Sequence, residues 1–127
     1  MPLRGRDADA EDRVRFQHML DAARDAIAFT RGRTRHDLDQ DRMLLRALVH
    51  CVQVIGEAGA RMSDKGRARA AELPWPKMVG MRHILVHVYY DIDADAVWRV
   101  VEEHLPSLVE VVQKTLDNWG EASEGGA

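Results

Sequence analysis

Apolar residues in this chain recur mostly every three or four positions, the period of helices rather than strands, which points the fold to packed helices. The clearest run is Leu45, Leu48, Val52, Ile55, Gly59 and Met62, a seam built for a partner helix. Phe16, Leu20, Ala23 and Ile27 form a second stripe, and Val97, Val101, Leu105, Leu108, Val112 and Leu116 a third. Only two Phe and two Tyr accompany abundant Ala, Val and Leu, so the core is one of aliphatic ridges rather than a strand-rich sandwich. At 127 residues the chain is one domain.

The punctuation places the elements. A first helix is expected from Glu11 or Asp12 to Arg31, stopped by Gly32. Thr34 with Asp37 resembles a capping pair for a second helix running from Asp37 to Ser63. Within that helix Gly56, Gly59 and Ala60 leave room for another backbone, and each glycine costs roughly 1 kcal/mol that tight packing must offset. Asp64 to Gly66 end it, and Arg67 to Leu73 make a short helical turn. The segment Leu73-Pro74-Trp75-Pro76 is a firm break, and Pro76 suits the first turn of a helix reaching Tyr89. Asp93 is a good N-cap for a last helix from Ala94 to Trp119, kinked at Pro106. The expected organisation is a flexible N-terminus over residues 1–10, a helical domain over 11–119 and a disordered, Gly-rich tail over 120–127. The architecture is all-α, a four- to five-helix up-and-down bundle, and the length of the second helix's seam points to a homodimer.

No apolar run approaches the roughly 18 residues of a membrane span, and Met1 to Asp12 has no apolar signal-peptide core, so a cytoplasmic protein without membrane contact is expected. The single Cys51 fits a reducing compartment and reads as a small buried apolar group. A net charge of −3 argues against a general polyanion binder. The charge is uneven, with 14 Lys and Arg against 11 Asp and Glu in residues 1–70, and four against ten thereafter. Two readings of the basic clusters Arg31, Arg33, Arg35 and Arg61, Lys65, Arg67, Arg69 stay open: solvated helix ends, or a face that touches RNA.

Chemistry concentrates in Met81-Arg82-His83-Ile84-Leu85-Val86-His87-Val88-Tyr89. A guanidinium is always charged and grips phosphate with two parallel hydrogen bonds, and an imidazole exchanges protons near neutral pH. Arg82 paired to a carboxylate and His87 held as a neutral core residue is the structural alternative. On an ideal helix Arg82 and His87 lie about 140° apart, whereas Arg82 and Tyr89 fall within about 20°. One helix therefore does not aim Arg82 and His87 at one phosphate, but two copies related by a two-fold axis would bring Arg of one to His of the other.

This segment, with Pro74-Trp75 upstream, Asp91-Ile92-Asp93 and Val97-Trp98 downstream, and Val54-Ile55-Gly56-Glu57-Ala58 on the earlier helix, resembles the HepT-like branch of the HEPN superfamily. The likeness spans Glu11 to Leu116, and the family's Arg–polar–three residues–His–one residue–Tyr pattern falls on Arg82, His83, His87 and Tyr89. The polar position, often Asn, is here His83. The resemblance implies a metal-independent endoribonuclease without cofactor, the toxin of a type VII-like toxin–antitoxin pair, working as a homodimer. It also implies a nucleotidyltransferase antitoxin that adds AMP to Tyr89, bringing charge and bulk to a cleft meant for RNA phosphates. On this reading Arg82 and His87 are catalytic, and His83 and Tyr89 position the RNA.

Two other functions compete. One is a non-catalytic helical partner that binds and regulates a nucleotidyltransferase. The other is a metal site on His83 and His87, whose four-residue spacing is permissible but unsupported by Cys or HExxH context. Glu57, inside an apolar helix, either pairs with Arg82 or Arg46 to hold a guanidinium in place or faces solvent. Trp75 and Trp98 are expected as anchors of core or interface, and His18, His36, His50 and His104 have no companion motif.

Overall fold

The computed structural model describes residues 5–86 and 92–120, with side chains from 8 to 82 and from 92 to 120. In chain order the helices are α1 (Gly5–Thr30), α2 (Asp37–Gln40), α3 (Arg42–Arg61), α4 (Asp64–Arg69), α5 (Trp75–Val86), α6 (Ala94–Arg99), a π-helical turn (Val100–His104) and α7 (Leu105–Asp117). Among the described residues there is no strand, and the chain is the all-α bundle its periodicity predicts.

The long helix α3 sits centrally, packed against α1 on one side and α5 on the other, while α1 also packs against α7. Leu48 and Ile55 of α3 and Phe16 of α1 are wholly buried, with Leu20, Val52 and Met62 close behind. The α3 seam is wider than the heptad reading: Leu44 is buried where Leu45 is half-exposed, and Cys51 and Ala58 join it. By length and composition alone α3 is apolar enough to cross a membrane, contrary to the sequence expectation. Its Leu48, Val52 and Ile55 are nonetheless buried inside the bundle.

Three boundaries differ from expectation, each for a local reason. First, α1 begins at Gly5, so residues 5–10 are helix rather than a flexible N-terminus. Asp9 of that turn is tied to the far end of the chain: it accepts from Arg69 at 2.7 Å and from the Trp119 indole at 3.3 Å. Second, the expected Asp37–Ser63 helix is two helices. Asp41 leaves helical geometry (φ −122°, ψ 95°), and its carboxylate caps α3 by accepting from the Leu44 N–H and from Arg33. Third, Ser63 does not end a helix but caps α4, its hydroxyl accepting from the Gly66 N–H, so Asp64 to Gly66 open a helix instead of ending one and the short helix expected at Arg67 to Leu73 runs from Asp64 to Arg69.

Other signals hold. Gly32 carries a positive φ of 73° and reverses the chain after α1. Asp93 caps α6 through the Ala96 N–H at 3.0 Å. The single last helix expected to kink at Pro106 is instead interrupted by the π-helical turn Val100–His104, and Pro106 stands in the first turn of α7, where its missing N–H is no loss. At one end of the bundle Phe16 is gripped edge-on by Trp75 and Trp119, ring centres 5.9 and 5.8 Å away. Trp75 is thus a core anchor as expected, Trp98 packs half-buried against the core, and Trp119 is the anchor the sequence did not single out.

Candidate active site

Arg82 stands on α5 where that helix crosses α3 at Gly56. Its side chain is half-buried, and its Nε is enclosed with no hydrogen-bond partner among the described residues. Nor does Arg82 form an ion pair among them, so the guanidinium is not neutralised there by a carboxylate. A fixed charge with donors to spare, at the edge of a core, is suited to an anionic ligand such as a phosphate.

The other motif residues follow Arg82 along the chain. His83 stands on α5, and its side chain, together with all of His87 and Tyr89, lies outside the described residues. Glu57 is exposed and pairs with neither Arg82 nor Arg46 among the described residues. Successive helix residues point about 100° apart, so with Gly56 against α5 the next side chain turns away. Glu57 instead lines a groove of about 560 Å³ between α1 and α3, with Glu11, Arg15, His18 and Arg61.

The basic clusters resolve largely into structure. Arg33 pairs with Asp37 and Asp41, and Arg35 with Asp39 and Asp95. Arg67 donates to the Gly59 carbonyl at 3.0 Å and lies over the Trp75 ring. Arg69, only 6% exposed at its side chain, is stacked 3.7 Å from the Trp119 ring centre and bonded to Asp9 and the Trp119 carbonyl. These four are clasps of the fold. Arg31, Arg61 and Lys65 are exposed and carry no ion pair among the described residues.

A model of the family described as "Ribonuclease HepT-like" matches residues 19–115, a span that takes in α3, α5 and the whole Arg82–Tyr89 segment. The chain belongs to the HepT-like ribonuclease family. It is 32% identical over 95 residues to "Putative RNase MJ1380" of Methanocaldococcus jannaschii, covering 75% of this chain and 87% of that protein. It is also 32% identical over 80 residues to "Probable ribonuclease HepT" of Thermococcus cleftensis, covering 63% and 73%. No solved structure matches it. The ribonuclease class expected of the sequence is that of its HepT-like family, and Arg82 on α5 is the candidate residue of the Arg82–Tyr89 segment whose side-chain surroundings the structure describes.

Proposed function

We propose that this chain is a metal-independent endoribonuclease, the toxin of a type VII-like HEPN–nucleotidyltransferase pair, working as a homodimer in the cytoplasm. The observation that carries the reading is the HepT-like match across residues 19–115, with the Arg-x₄-His-x-Tyr string inside it. The half-buried, carboxylate-free setting of Arg82 among the described residues supports it.

In the reaction the RNA 2′-oxygen attacks the adjacent phosphorus, and the bond to the departing 5′-oxygen breaks. His87 takes the proton from the 2′-hydroxyl or supplies one to the leaving oxygen. Arg82 stabilises the charge that grows on the non-bridging oxygens. His83 and Tyr89 position the strand. On an ideal helix Arg82 and His87 would lie about 140° apart, so Arg82 of one protomer works with the His87 of its partner. A nucleotidyltransferase antitoxin switches the site off by moving AMP from ATP onto the Tyr89 phenol, with pyrophosphate leaving.

Purified protein is expected to cleave RNA in the presence of EDTA, and His87→Ala to lose that cleavage while keeping its helical circular-dichroism spectrum. Parent-like cleavage by His87→Ala would remove the assignment. A parent that cleaves nothing and is harmless on expression would favour a non-catalytic partner of the nucleotidyltransferase.

A further inference from the structure

We propose that Gly56 is a positioning residue for Arg82, its missing side chain being the seat on which the guanidinium's stem rests. This rests on the reading of Arg82 as the phosphate-binding group of the ribonuclease.

A Cβ placed on Gly56 would stand 2.8 Å from Arg82 Cγ and 3.2 Å from both the Arg82 amide nitrogen and the Met78 carbonyl oxygen. Carbon atoms in contact sit at about 3.5–4.0 Å, so a methyl group at this position displaces something. The atom in the way is not the free end of a flexible chain. Cγ is the second carbon of the stem, and only a turn about χ1 or a shift of α5 itself moves it aside. The backbone atoms of Met78 and Arg82 close the remaining sides. Either adjustment moves the guanidinium, whose Nε is already enclosed without a partner among the described residues.

One turn further along α3, Gly59 faces the same helix with different consequences. A Cβ there would meet Val79 Cγ2 at 3.8 Å and the Trp75 ring at 3.9 Å, ordinary contact distances. Both glycines cost the helix similar propensity, and both lie against α5. Only Gly56 bears on Arg82. The pair is therefore an internal control for helix packing against side-chain placement.

The test is a kinetic cycle on the full chain with RNA as substrate. Gly56→Ala is expected to lower kcat by roughly ten- to a hundredfold, the effect of misplacing a catalytic group by up to about 1 Å, with KM little changed. Gly59→Ala is expected to leave both constants unchanged within about twofold. In an Arg82→Ala background, Gly56→Ala should cause almost no further loss of the residual rate, because the group it displaces is gone. Parent-like kcat in Gly56→Ala, or an equal loss in both backgrounds, would overturn the assignment.

Melting temperatures carry the test without activity. The stem's truncation relieves the crowding, so Arg82→Ala should lower the melting temperature less in the Gly56→Ala background than in the parent, and equal drops would overturn the proposal. If Gly56→Ala does not fold alone, recovery of folding in the double variant supports it and continued unfolding overturns it. A parent without ribonuclease activity would sink the functional reading while the melting cycle still decides whether Gly56 seats Arg82.

Discussion

Cys51 illustrates how burial decides the chemistry of a side chain. It lies inside the α3 seam, 4% exposed, and burial pushes its thiol up to about 11, the nearby Asp25 adding to the effect. At neutral pH it is a thiol, not a thiolate, and so a poor nucleophile. Native protein should react with a thiol-specific disulfide reagent far more slowly than the denatured chain. Equal rates in the two states would show that Cys51 is accessible. Its role as a small buried apolar group was legible from its residue type, although the heptad seam read from the sequence left it out. The roles of Arg67 and Arg69 were not. Two arginines near a helix end look alike in one dimension, and only the fold brings Trp75 beneath one and Trp119 with Asp9 around the other.

Between elements, the joints are made by short polar side chains that reach across sequence. Asp12 of α1 is 2% exposed and accepts from the Ser63 amide at 3.1 Å and from the Ser63 hydroxyl, which in turn caps α4. Asp12→Ala leaves that amide without its partner and should cost about 1–3 kcal/mol, measured by urea denaturation. A loss below the error of the measurement would mean the joint is dispensable. The corner between α1 and α3 is acid-sensitive. The Thr34 amide, then the Thr34 hydroxyl and Arg33, hold the Asp37 carboxyl below its ordinary value, and the Leu44 amide and Arg33 do the same for Asp41. On acidification the unfolded chain therefore takes up protons first. The contribution of these groups is complete above the ordinary carboxylate value of about 3.9 and drains away as pH falls through their lowered values. Asp41→Asn should flatten the dependence of stability on pH in that window, as read by denaturation at a series of pH values. An unchanged slope would contradict the capping role. The break at Asp41 escaped the sequence reading because its signal is a cap within an otherwise helical run, held by an arginine eight residues earlier. A break near Pro106 was legible because proline's lost donor acts locally, but its place before the proline and its π-helical form were not.

For the whole molecule, helical periodicity located the bundle because three apolar stripes can be buried together only by packing against one another. The candidate site was legible as a string of residue types, which lies inside the span that the family model matches. What one dimension withholds is the arrangement around Arg82: α3 presents Gly56 to it, while Glu57 faces the α1 groove instead. In the proposed mechanism Arg82 of one protomer and His87 of its partner share one RNA phosphate. Mixing Arg82→Ala and His87→Ala proteins, each reduced alone to a small residual rate, with subunit exchange allowed, is the direct test. Half of randomly paired dimers would be mixed, each with one of its two sites intact, so the mixture should regain about a quarter of the parent's cleavage rate. A mixture that cleaves no faster than the two residual rates, with exchange verified, would contradict a shared site.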